Sequence, residues 1–274
     1  MKIRTDERPI RMTGSKRPLA SFIYDHLPQG EIYYEPFLGG GSVLYHILKN
    51  NSNRFKEYYA SDINEDLISL WNLIKTNYKD LSKSYRELWI KLNNKKTVDE
   101  KKDFYISQRD TYNKTHDPYL YFFVLRTCYN GMMRYNSKGE FNTAFHLKRP
   151  GMHPDKVDFI LEEWSNCIQL VNFFVSSYED INYKENSVLY LDPPYAGTGS
   201  TLYFGNFDNT KFLDWVKNLN YKYVLSYDGN IDINLGKDVK EHLVTSGKSC
   251  FKHLANLSDE NSEVFEKIYI KERI

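Results

Sequence analysis

Asp192-Pro193-Pro194-Tyr195 packs an acceptor carboxylate, two rigid backbone positions and an aromatic ring into one short stretch of the chain. That set suits a planar amine. An exocyclic amine on an aromatic base is a poor nucleophile because its lone pair is conjugated with the ring. If the Asp192 carboxylate and the Pro193 carbonyl accept its N–H groups, the nitrogen becomes more pyramidal and electron-rich, while Tyr195 stacks on the base. This would be catalysis by positioning and electrostatic preorganisation, without a covalent intermediate. On these residues alone, a surface Pro-Pro turn capped by an ordinary aspartate remains the simpler alternative.

A second set lies earlier, at Glu35-Pro36-Phe37-Leu38-Gly39-Gly40-Gly41-Ser42. Consecutive glycines let the backbone take positive φ and approach a ligand, and a helix start behind them offers unpaired N–H groups. The spacing is neither G-x-G-x-x-G nor a Walker loop, and Glu35 would repel a phosphate. A cofactor with a cationic or neutral end fits better. Asp62 follows 27 residues after Glu35, where a dinucleotide fold places the acid that holds ribose hydroxyls. Helix capping is the rival role for Asp62 and the stronger one for Asn64.

The flanking sequence supplies elements to position these residues. Ser187 to Leu191 is an apolar run with the length of a buried strand, and Pro193 forces the chain out of the sheet. Glu31 to Tyr34 and Tyr58 to Ser61 read as strands, with helices over 43–48 and 65–73. Modest helices are expected over 78–92 and 103–112, and another from Asn209. Further strands are expected over 223–227 and 264–270. In open α/β sheets the crevice beyond the carboxyl ends of the strands holds the ligand.

The order of Glu35 to Gly41, Asp62-Ile63-Asn64, Asn130-Gly131-Met132-Met133-Arg134-Tyr135-Asn136 and Asp192 to Tyr195 resembles the Dam-like (D12-class) DNA adenine-N6 methyltransferases, from about residue 13 to the late strands. The resemblance implies an α/β, permuted Rossmann-like fold that binds S-adenosylmethionine, with a helical and β-hairpin target-recognition unit inserted. It divides the chain into a catalytic domain over 1–74 and 168–274 and a recognition domain over 75–167. It implies cofactor contacts from Met12, Lys16, Glu35, Pro36, Phe37, Gly39, Gly41, Asp62, Asp180 and Asp192. Lys16 is expected near the cofactor carboxylate, Glu35 near its amine, Asp62 at the ribose and Asp180 at the adenine ring. The catalytic group is Asp192, Pro193 and Tyr195, acting on an adenine swung out of the duplex. Met12 and Ser15 replace the tryptophan and glycine usual in the family, and Asn142-Thr143-Ala144-Phe145-His146 replaces its Asn-Val-Pro-Phe-Gly.

Charge is local. The whole chain carries a formal +1, yet residues 126–156 hold six basic against two acidic residues, and so do the first 24. Either surplus of +4 can serve phosphate contacts. Ser137-Lys138-Gly139-Glu140 reads as a hairpin turn with strands on either side. By resemblance this hairpin reads double-stranded DNA, through Arg126, Tyr129, Asn130, Met132, Arg134, Asn136, Lys138 and Lys148. Arg134 is the candidate for a bidentate guanine contact, and Met132 or Tyr129 for a wedge into the stack. Met132 packing the hairpin is the alternative. Residues 197–200 and 204–207 are expected to form a mobile segment, and 248–253 a further basic stretch.

Three cysteines and seven histidines are scattered without metal-ligand spacing, so no metal site is expected and a reduced, cytoplasmic setting fits. No apolar run reaches the length of a membrane span, and no secretory leader is expected. A monomer is the default, with a cognate restriction endonuclease as a conceivable partner in a restriction-modification pair. An N4-cytosine methyltransferase, an RNA or protein amide methyltransferase, and a non-enzymatic DNA-binding module are the competing readings.

Overall fold

The structure is a computed structural model and describes residues 8–12, 14–195, 207–248 and 263–273. Thr13, 197–200, 204–206 and 249–253 lie outside the described residues. Seven strands form one sheet in the order β3-β2-β1-β4-β5-β7-β6. They are β1 Ile32–Glu35, β2 Glu57–Asp62, β3 Val171–Val175, β4 Ser187–Leu191, β5 Lys222–Asp228, β6 Val239–Lys248 and β7 Glu263–Lys271. The first five pair in parallel, β7 runs antiparallel to β5, and β6 antiparallel to β7.

Strands 3-2-1-4-5 follow the order of an ordinary doubly wound sheet read along the chain, so the described strands give no sign of the expected permutation. The chain leaves β1 toward β2 and β3, then returns to place β4 on the other side of β1. The loops after β1 and β4 therefore diverge, and a crevice opens between them. Both sequence motifs sit there.

The helices are α1 Ala20–His26, α2 Ser42–Asn51, α3 Glu65–Asn93, α4 Val98–Thr115, α5 Pro118–Thr127, α6 Pro154–Cys167 and α7 Asn209–Lys217. Their starts follow capping chemistry: Asn64 accepts from Leu67 N at 3.1 Å, Asp117 from Tyr119 N at 2.8 Å, and Thr97 forms a capping box with Glu100. α3 breaks at Asn77, where φ is −148° and ψ 49°, so the two expected helices of this region are one kinked helix. α6 and β3 were not expected. The apolar positions Val157, Ile160, Leu161 and Trp164 of α6 nevertheless have helical spacing and all are buried.

Alternation along the strands splits the core. Tyr33, Tyr58, Val188 and Tyr190 face the helical layer that contains Leu44, Trp71, Phe122 and Trp164. Tyr34, Leu189, Leu191 and Leu225 face Phe212 and Val216 of α7. Each fully buried large apolar side chain contributes about 1.5–3 kcal/mol, which holds the strand ends in fixed relation. Among the described residues no helix is long and apolar enough to cross a membrane.

Candidate active site

The loops after β1, β2 and β4 line one cavity of about 510 Å³. The β1 loop closes with Gly39 at φ 47° and Gly41 at φ 61°, a left-handed backbone that favours glycine. Leu38 N donates to Ser61 O at 2.9 Å, and Trp71 Nε1 donates to Gly39 O at 3.0 Å, so β2 and α3 brace the turn. Met12 lies against it, with its sulfur 3.3 Å from where a Cβ on Gly39 would sit.

Asp62 accepts the N–H groups of Gly39 and Asn64, each at 3.1 Å. It thus holds the glycine turn while lining the cavity, and Asn64 does the capping. Burial raises the Asp62 carboxyl pKa, with the N–H groups of Asn64, Gly39 and Ile63 pulling the other way.

Glu35 is 3% exposed and takes the Tyr33 hydroxyl at 2.7 Å. Burial pushes its carboxyl up to about 8, partly offset by Tyr33 and reinforced by the charge of Asp192. A carboxylate so placed fits an ammonium group brought by a ligand. Asp62 faces the same space beside the exposed side chain of Ile63, so this wall combines two carboxylate acceptors with apolar surface.

On the far wall stand Asp192, Pro193, Pro194 and Tyr195. Lys16, expected at a cofactor carboxylate, is 5% exposed and lies 2.8 Å from Asp192 Oδ1. It also donates to Gly14 O at 2.9 Å and stands 3.6 Å from Glu266 Oε2. Burial raises the Asp192 pKa, opposed first by the Lys16 charge. The Tyr195 hydroxyl donates to Glu266 Oε2 at 3.0 Å. The arrangement can hold a flat amine between a carboxylate and an aromatic ring.

Met12, Lys16, Glu35, Pro36, Phe37, Gly39, Gly41, Asp62 and Asp192 all line this cavity. Asp180 does not: it is exposed, and its neighbours Ser177, Tyr178 and Glu179 take the wall instead. Sequence reading also missed Lys211 and Glu266. A glutamate inside the apolar closing strand was the available signal for Glu266, because a buried strand position rarely carries an acid without a partner.

The hairpin lies between α5 and α6. It is held by the bridges Cys128↔Phe145 and Tyr135↔Phe141 rather than by regular strands. Tyr129, Asn130, Arg134, Lys138 and Lys148 are exposed and Met132 is half-buried. Asn136 ties the turn, its side chain accepting from Lys138 N at 2.9 Å and Glu140 N at 3.0 Å. Arg126 departs from expectation. It is buried, donating to Arg8 O at 3.0 Å and Pro9 O at 3.2 Å, because α5 carries it inward against the N-terminal segment. Its guanidinium is a brace for that segment.

Among the described residues no cluster of three or more His, Cys, Asp or Glu could hold a metal ion. A family model described as D12 class N6 adenine-specific DNA methyltransferase matches residues 13–272. A DNA adenine methylase of Escherichia coli (strain K12) is 34% identical over 210 residues, covering 74% of this chain and 70% of that protein. The DNA adenine methylase of Serratia marcescens is 33% identical over 211 residues, covering 74% and 72%. Among solved structures, the rRNA methyltransferase aviRa from Streptomyces viridochromogenes covers 93% of this chain and 84% of its own, at a TM-score of 0.42 and 11% identity. That last likeness is too weak to bear on the reaction.

Proposed function

The chain belongs to the D12 class of N6 adenine-specific DNA methyltransferases, and from that premise we propose that it methylates N6 of an adenine flipped out of double-stranded DNA, using S-adenosylmethionine. One observation carries the reading: the glycine turn with Glu35 and the Asp192-to-Tyr195 loop open onto the same cavity from opposite sides of the sheet crevice. When bound, the cofactor supplies a methyl group on a sulfonium.

The chain's own residues do the rest. Glu35, once deprotonated, would hold the cofactor ammonium, and Asp62 would accept from ribose hydroxyls. Asp192 and the Pro193 carbonyl accept the two N6 hydrogens, aiming the nitrogen lone pair across the cavity. Tyr195 stacks on the base, worth about 1–3 kcal/mol in single-strand complexes. Lys16 favours the ionised form of Asp192 against the effect of burial, which raises its pKa.

Residues 75–167 form the recognition unit in this reading, and the break of α3 at Asn77 supports a boundary there. Arg134 reads a base edge from the hairpin, with Tyr129 and Met132 as wedges where the adenine leaves. Lys138 and Lys148 meet phosphates. The test is incubation of mixed-sequence duplex with methyl-labelled cofactor, followed by nucleoside analysis. N6-methyladenine is expected; label on cytosine N4, or none on DNA, would overturn the proposal.

A further inference from the structure

Glu266 lines the cavity although no motif pointed to it. β7 is antiparallel to β5, so its beginning, not its end, reaches the edge where β1 and β4 stop. Register places Glu266 opposite Asp228, the last residue of β5. A parallel strand in this place would have delivered its other end.

The Glu266 carboxylate is 7% exposed. One oxygen, Oε2, accepts the Tyr195 hydroxyl at 3.0 Å and lies 3.6 Å from Lys16 Nζ. Lys16 in turn is 2.8 Å from Asp192 Oδ1 and 4.8 Å from the centre of the Tyr195 ring. Two carboxylates therefore share one ammonium.

The sharing matters for the reaction proposed above, on which this inference rests. As N6 takes the methyl group, its lone pair becomes the new N–C bond and the S–C pair returns to sulfur. Positive charge gathers on the nitrogen until one N–H proton leaves to Asp192. A lysine paired with Asp192 alone would cancel the negative charge that this step needs. With Glu266 beside the same ammonium, less of the Lys16 charge is spent on Asp192, and in a site of low dielectric that difference is felt strongly.

We infer that Glu266 is a positioning residue for methyl transfer: it draws part of the Lys16 charge away from Asp192 and anchors the Tyr195 ring through its hydroxyl. Glutamine at 266 can still accept the tyrosine hydroxyl, so charge and anchoring are separable. The decisive experiment is single-turnover methyl transfer to duplex DNA by wild type, Glu266→Gln, Lys16→Met and the double variant. Cofactor affinity and thermal unfolding are measured on each.

Glu266→Gln is expected to slow transfer by about tenfold or more while cofactor affinity and melting stay close to wild type. In Lys16→Met the shared Lys16 charge is gone, so adding Glu266→Gln should cost less than it does in wild type, and melting and cofactor affinity close to wild type in Glu266→Gln separate that coupling from structural damage. Tyr195→Phe, which keeps the Glu266 charge but loses the hydroxyl bonded to Glu266 and to Asp192, should lose less than Glu266→Gln. An unaffected rate in Glu266→Gln, or fully additive losses in the double variant, would overturn the role of Glu266 alone. A wild-type chain that transfers no label to adenine would overturn the reaction itself, and this inference with it.

Discussion

The cleft and the hairpin treat charge in opposite ways. In the cleft, Glu35 and Glu266 are buried, and the partly buried Asp192 is paired with a lysine that is itself buried. In the hairpin, Arg134, Lys138 and Lys148 are exposed on a loop joined by isolated bridges. The cleft must have its charges in place before the reaction, because reorganisation during the step would raise the barrier. In the proposed reading the hairpin meets a partner that brings its own charges, so its cations can wait in water. Burial in the cleft has a cost that shows in the raised carboxyl pKa values of Glu35, Asp62 and Asp192.

The comparison is sharpest at Asp192. Asp192→Ala should lower methyl transfer by about 10³-fold or more, since it removes a group aimed at the developing charge, with cofactor binding by equilibrium dialysis largely kept. Equal loss of binding and turnover would blur the two walls of the cleft into one.

Glu35→Gln should act in two directions. Cofactor affinity is expected to fall by about 100-fold, the scale of a lost charge-assisted bond. The folded state without cofactor should gain on the order of 1–3 kcal/mol at pH 8. The sign follows from the raised pKa: the folded chain holds the Glu35 proton more tightly than the unfolded one. The stability linked to it is full below about pH 4.5 and is lost as pH rises toward 8. By the same linkage, cofactor affinity should weaken as pH falls below about 8, and binding near pH 7 should release a proton to buffer. Calorimetry in buffers of different ionisation enthalpy measures that proton.

The hairpin should respond differently. Arg134→Ala is expected to cost about 1–3 kcal/mol of discrimination at one base position, read by methylation of substituted duplexes. Lys148→Ala should weaken binding evenly across sequences and lower the salt slope by about one. Arg126→Met should leave that slope unchanged and lower thermal stability, by about 1–3 kcal/mol. A changed salt slope in Arg126→Met would return Arg126 to the DNA surface and break the distinction between the two regions.

The cleft was legible in sequence because its parts are local. A strand, a glycine turn and a helix start sit within one stretch, and Pro193 marks where β4 must end. Glu266 was hidden because its place depends on pairing with β5 in an antiparallel register, which no local pattern carries. Asp180 lies off the cavity by a small margin: Ser177, Tyr178 and Glu179 of the turn after β3 line it, and a motif match cannot resolve which residue of a short turn faces a cavity. The burial of Arg126 was hidden because a basic surplus counts residues and not directions. Its position at the end of an apolar helix, buried like the residues before it, was the evidence against a surface role. The hairpin turn at Asn136 to Glu140 was visible from Ser137-Lys138-Gly139-Glu140, but its thin pairing was not.

In the proposed reaction the two walls of one cleft bring a methyl donor to an adenine amine. Single-turnover transfer of labelled methyl groups to a duplex, with the product hydrolysed to nucleosides, tests it most directly when wild type and Asp192→Ala are compared at saturating cofactor. N6-methyladenine is expected from wild type, and almost none from a variant that still binds the cofactor. Label on another base, or equal product from Asp192→Ala, would contradict it.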